Sequence, residues 1–157
     1  MIMTVFSENR PAAPVYRWEP DYAVGVEEID REHQWLFALA EGMHQAMLSG
    51  KGRDALQALL TELVDYTASH FSHEEGLMER SGYPDLRGHR RQHEDLRARV
   101  REMQDRASSG EETMTIEVMQ FFIAWLKQHT STSDRRIGEH LKATGQLPGR
   151  AERDAEG

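Results

Sequence analysis

The sequence predicts an all-α protein, an up-down-up-down four-helix bundle preceded by an extended N-terminal arm. Three observations carry that expectation. Four long stretches repeat their apolar residues at helical spacing. Each gives way to a short break rich in glycine, serine or proline. No stretch of useful length alternates in the manner of a strand, and short connections favour antiparallel helical neighbours. The 157 residues suit one domain with a single sizeable core.

Residues 1–17, with Pro11 and Pro14, read as an arm, and Trp18, Tyr22, Val24 and Val26 as an apolar leader packing across the bundle, which itself spans 18–143. The first helix is expected from Glu27–Asp30 to Leu48, with Ile29, His33, Leu36, Phe37, Ala40, Met43 and Met47 facing inward. Ser49-Gly50-Lys51-Gly52 breaks it. The second runs from Asp54 to Arg80 and carries Leu56, Leu59, Leu60, Leu63, Thr67, His70, Glu74, Leu77 and Met78 on one stripe. Gly82 supplies the stop and Pro84 follows it. Asp85 is a candidate cap for the third, Leu86 to Ala107, whose stripe is His89, His93, Leu96, Val100, Met103 and Ala107. Thr113 can cap the fourth, Met114 to Leu141, with Met119, Phe122, Trp125, Leu126 and His129 inward. Residues 144–157 hold too little apolar material to pack and read as a flexible tail.

Composition excludes several classes of function. Nineteen basic against 27 acidic residues leave a formal charge of −8, which argues against a nucleic acid or an anionic membrane as partner. The absence of cysteine removes disulfides, zinc–thiolate sites, iron–sulfur clusters and thiol nucleophiles. No apolar run approaches the ~18 residues a membrane span needs. The first residues lack a basic region followed by a long apolar segment, so the cytoplasm is the expected compartment.

The chemistry lies in the polar residues on the core faces. His70 and Glu74 sit one turn apart on an otherwise apolar stripe, where an unpartnered neutral polar group costs roughly 2–7 kcal/mol. One such pair is explained by a hydrogen bond between the two side chains. Five imidazoles, those of His33, His70, His89, His93 and His129, on the inward faces of all four helices are not. With Glu74 they form a nitrogen- and oxygen-donor set suited to first-row transition metals, too large for one ion of ordinary coordination number. Two ions are implied. Helix geometry does not add a second carboxylate: Asp134, five residues past His129, falls ~140° round a regular helix, and Ser133 is the residue beneath His129. Thr130-Ser131-Thr132-Ser133 is a run of weak helix formers that makes a local distortion plausible.

The combination resembles a bacterial hemerythrin domain. The matching pieces are Trp18 with Val24–Asp30 (VGVEEID) and His33, the box His70-Phe71-x-x-Glu74-Glu75, Tyr83-Pro84, His89-x-x-x-His93, and Trp125-Leu126-x-x-His129 with Asp134; they cover about residues 18–141. The resemblance implies a non-haem centre of two iron ions. His89, His93 and His129 would ligate one iron, His33 and His70 the other. Glu74 and Asp134 would bridge them beside an oxo or hydroxo group. The two-histidine iron, a donor short, would take O2 as ligand, with Phe37, Trp125 and Leu126 lining the O2 pocket. Reversible binding of O2 for carriage, storage or delivery by a monomer is the first expectation, without enzymatic turnover. A di-iron oxidase or peroxidase, and an O2 or redox sensor working through a partner, are the competing ones.

The chain also departs from the family. Glu32 and Glu41 stand where many relatives carry Gln and Asn, and Thr130 replaces an aliphatic residue after His129. These polar groups are expected to shorten the life of the oxygenated form. His44 reads as a partly exposed histidine at the bundle end, His73 and His140 as solvated. Arg87, Arg90, Arg91, Arg97 and Arg101 read as the solvated face of the third helix.

Overall fold

Four amphipathic helices without a strand to pack on must cover one another, and the computed structural model, which describes residues 16–110 and 114–147, has them do so as an antiparallel bundle. After a single 3-10 turn at Pro20–Tyr22 come α1 (Glu27–Leu48), α2 (Gly52–Ser81) and α3 (Leu86–Ser108). The fourth helix is broken. It comprises α4 (Met114–His129), a π-helical turn at Thr130–Asp134, and α5 (Arg135–Ala143). α2 packs between α1 and α3, and α4 closes the bundle against α1 and α3.

The ends follow local chemistry, with some departures. Gly82 adopts the left-handed conformation (φ 68°), and the N–H of Tyr83 reaches back to the Met78 carbonyl at 2.9 Å. Asp85 makes no side-chain capping bond, so α3 starts without the expected cap, and α2 begins two residues earlier than predicted. Thr113 and most of the arm lie outside the described residues, as does the chain beyond 147. At the start of α1, Asp30 turns its carboxylate back to the N–H groups of Val24 (2.7 Å) and Gly25 (3.1 Å), fixing the leader to the helix.

The apolar residues form two clusters. The larger joins Leu36, Phe37, Ala40, Leu60, Leu63, Phe71, Val100, Met103 and Leu126, with Trp18 and Tyr22 packed against it. The smaller joins Val24, Ile29, Met78, Ile137 and Leu141 at the other end. Leu147 packs on that second cluster and Gln146 donates to the Ser81 carbonyl, so the chain just past Thr144 is docked where a frayed tail was expected. His140 donates to the same carbonyl from Nε2 at 2.9 Å and is a staple between α5 and the end of α2, not a solvated residue. Met47, Leu77, Ala107 and Trp125 are only half-buried, at the margins of their stripes.

Candidate metal centre

Between the two apolar clusters lies a layer of polar side chains. His33 comes from α1, His70 and Glu74 from α2, His89 and His93 from α3, His129 from the end of α4, and all are buried together with Asp134. The π turn brings Asp134 there. A turn closed from i to i+5 inserts one residue, so the fifth residue after His129 arrives where a regular helix would put Ser133. Ser133 instead points outward and donates to Gln92 at 2.6 Å. The expected distortion of the Thr-Ser run is thereby explained, and its effect is to bring a second carboxylate to the layer.

The donor atoms fall into two sets that share the carboxylates. On one side, His33 Nε2 lies 3.0 Å from Glu74 Oε1 and 3.0 Å from Asp134 Oδ2, and His70 Nε2 lies 2.9 Å from Glu74 Oε1. On the other, His93 Nε2 lies 3.1 Å from Glu74 Oε2, and the Nε2 atoms of His89 and His129 lie 3.1 and 3.0 Å from Asp134 Oδ1. Each carboxylate thus turns one oxygen to each set. Ligand atoms within a set are close enough together to hold a single ion: His33, His70, Glu74 and Asp134 in one, Glu74, His89, His93, His129 and Asp134 in the other.

The donor set fits a metal because most of the close contacts within it, that of His33 with Glu74 apart, are poor hydrogen bonds. Glu74 Oε2, both oxygens of Asp134 and the Nε2 atoms of His89, His93 and His129 are buried with no aligned partner, although each has an opposite group near 3 Å. Lone pairs aimed at a common point give this pattern, whereas an interior hydrogen-bond network would align its donors. Without a cation, protons must balance the two carboxylates. Burial alone would lower the His33 pKa, but the facing Asp134 and Glu74 carboxylates outweigh it and push it up to about 10. His70 and His89 rise to about 9 against the same burial, His70 held by Glu74 and Glu32, and His89 by Asp134 and Glu74. Burial favours neutral Glu74 and Asp134, yet the surrounding imidazoles hold both well below the usual carboxylate range.

The residues around the layer orient it. His70 Nδ1 donates to Glu32 Oε2 at 2.5 Å, and His93 Nδ1 donates to Glu75 Oε1 at 2.9 Å. A ring whose Nδ1 carries the proton offers the lone pair of Nε2 to the centre. Phe71 lies parallel to the His93 ring with centroids 3.7 Å apart, and Trp125 stacks on His129 at 4.3 Å. Phe37 and Leu126 are fully buried in the larger apolar cluster next to Phe71.

A family model described as the hemerythrin HHE cation binding domain matches residues 24–141. The chain belongs to the hemerythrin family. It is 35% identical over 126 residues to a bacteriohemerythrin of Stenotrophomonas maltophilia, covering 80% of this chain and 81% of that one. With a bacteriohemerythrin of Pseudomonas aeruginosa it shares 36% over 117 residues, 74% of this chain and 75% of the relative. Among solved structures it resembles a leucine-to-phenylalanine mutant with a TM-score of 0.73 at 25% identity, covering 82% of this chain and 98% of the other. A leucine-to-tyrosine mutant of hemerythrin shares the fold with a TM-score of 0.67 at 23% identity, with the same coverage.

In this hemerythrin the structure brings all seven predicted donors together and revises several neighbours. Glu41 accepts from the Tyr16 backbone N–H at 2.9 Å and from Gln45 at 2.8 Å, so it ties the leader to α1. Beside the polarity expected of it on this flank, Glu41 thus has an anchoring role. His73 is not simply solvated: its Nδ1 donates to the second oxygen of Glu32. His44 sits edge-on to Tyr16, 5.2 Å between centroids. Arg90 and Arg97 reach the Glu75 carboxylate, so they are not part of a merely solvated face. Thr130 is buried, its hydroxyl without a partner, directly after His129. Sequence reasoning had no means of pairing Glu32 with His70 or Glu75 with His93. Each glutamate adjoins a core donor in sequence, and neighbours on a helix point ~100° apart.

Proposed function

We propose that this hemerythrin is a non-haem di-iron protein that binds O2 reversibly, serving its carriage, storage or delivery. His89, His93 and His129 would hold one iron and His33 and His70 the other, with Glu74 and Asp134 shared between them. The observation that carries this reading is the division of the carboxylate oxygens, one of each facing each histidine set. The ferrous pair supplies the electrons on which reversible O2 binding draws.

The protein's own part is to set the number of donors, keep them neutral and keep water away. The His33–His70 side has one imidazole fewer than the other, so an ion held there would have a position left for O2. Glu32 and Glu75 fix the Nδ1 protons of His70 and His93, so the rings meet the metal through Nε2. Phe37, Phe71 and Leu126 are buried beside the layer and keep water from it, and Phe37, Trp125 and Leu126 would line the space that O2 enters. An apolar lining leaves few proton donors, and loss of bound oxygen assisted by a proton is slow where donors are few. Among the described residues no helix is long and apolar enough to cross a membrane. A monomer in the cytoplasm is the form we propose.

The test is the visible spectrum of the anaerobically reduced, iron-loaded protein before air, after air, and after the gas is removed. Uptake of one O2 per iron pair, with return of the starting spectrum under inert gas, is expected. Oxidation by air with no oxygenated spectrum even on rapid mixing, together with turnover of peroxide or Fe2+, would replace the carrier with a di-iron oxidase or peroxidase.

A further inference from the structure

The two histidine sets are backed by carboxylates in different electrostatic settings. Glu75, behind His93, also meets Arg90 Nε at 3.4 Å and Arg97 Nη2 at 4.0 Å, and Arg90 ties in Glu79 besides. Two guanidinium groups thus share its charge. Glu32, behind His70, pairs with no arginine or lysine among the described residues. Its partners are two imidazoles: Oε2 takes the Nδ1 proton of buried His70 at 2.5 Å, and Oε1 takes that of His73, whose side chain is 48% exposed. The Tyr66 ring lies nearly parallel to His70, 11° between planes and 6.4 Å between centroids, and its hydroxyl donates to the Glu32 backbone carbonyl at 3.4 Å.

An imidazole that donates to a carboxylate is a more basic ligand at its other nitrogen. The effect is greatest where the carboxylate keeps its full charge and falls where guanidinium groups share it. A more basic ligand stabilises the higher oxidation state of the ion it holds. We propose that Glu32 is a positioning residue that, clamped by His73, fixes the His70 ring and makes the iron of the two-histidine side the more easily oxidised of the pair. The inference rests on the di-iron reading above. It gives the departure at Glu32 a role: the side with the open position is also the side with the more electron-donating imidazole. Glu75, its charge shared with Arg90 and Arg97, then serves chiefly to orient His93.

Two measurements test this on the full chain. Co2+ added to the metal-free protein reports affinity and site count, and spectroelectrochemical titration of the iron-loaded protein reports the order of oxidation. In Glu32→Gln the amide oxygen still accepts from His70, so two Co2+ are still expected, one of them held less tightly than in the wild type but by less than in Glu32→Ala, while the lower of the two reduction potentials rises. Glu32→Ala should weaken one of the two Co2+ sites about 10–100-fold, the range typical for loss of such a partner. Glu75→Gln should leave the lower potential in place. If Glu32→Gln binds two Co2+ but keeps both potentials of the wild type, or if Glu75→Gln moves the same potential as far, Glu32 has no such role. A wild type that takes up fewer than two Co2+ overturns the di-iron reading, and this inference falls with it.

Discussion

Glu74 shows how much one side chain carries. Fully buried, it turns Oε1 to His33 and His70 and Oε2 towards His93, so its removal touches both histidine sets, whereas removal of His33 touches one. Iron per chain should fall further in Glu74→Ala than in His33→Ala; the opposite order would mean that Glu74 does not bridge. Thr130 poses a different question. Its buried hydroxyl has no partner, and such a group costs about 1–3 kcal/mol. Thr130→Val keeps the shape and removes the oxygen, so the protein should melt at the same temperature or a few degrees higher. A clear loss of stability would reveal a hydrogen bond to Thr130 that the static structure does not contain.

At the scale of elements, the break in the fourth helix is the feature on which the centre depends. The π turn sets Asp134 under His129, and α5 then continues with Ile137 and Leu141 buried against the leader and the end of α2. Gly138 makes that packing possible. A Cβ placed there would lie 1.9 Å from the Val24 carbonyl oxygen, a backbone atom that cannot swing aside. Gly138→Ala should lower the melting temperature by several degrees, an effect of about 1–3 kcal/mol as for other overpacked sites, and should loosen Asp134 four residues away. Thermal denaturation with iron content measured alongside checks both. An unchanged melting point would mean that leader and α5 are less closely packed than 1.9 Å implies.

For the molecule as a whole, metal binding and folding are one equilibrium. Seven donors concentrated between two apolar layers are satisfied by cations, and without them by protons. Chelation should therefore lower the melting temperature substantially. The metal-free form should also show a defined pH dependence. His33, His70 and His89 have folded-state pKa values raised from 6.5 to about 10, 9 and 9. Their stabilising contribution is fully present below the unfolded value near 6.5 and is lost as pH rises through 9 to 10. Glu74 and Asp134 are shifted down, so their contribution is present above the ordinary carboxylate range and is lost only as pH falls well below it. Melting of the chelated protein should fall steadily from pH 6.5 to pH 10. A rise over that interval would contradict the charge arrangement. Because metal displaces protons from these imidazoles, loading an unbuffered sample at pH 7 with Co2+ should acidify it.

The sequence alone determined four helices, their inward faces and six of the seven core donors, because helical periodicity is a local property and a histidine on an apolar stripe is visible without its partners. Asp134 entered only through the resemblance, since its spacing from His129 contradicts a regular helix. Only the tertiary structure decided that a π turn absorbs the extra residue, that each carboxylate divides its oxygens between two sets, and that Glu32, Glu75, His73 and His140 reach across to other helices. It also decided that Leu147 folds back onto the bundle and that Glu41 holds the leader. Periodicity reports which way a residue points from its own helix axis. Which residue of another helix it meets depends on the offset and rotation between axes, and those follow from packing the whole bundle at once.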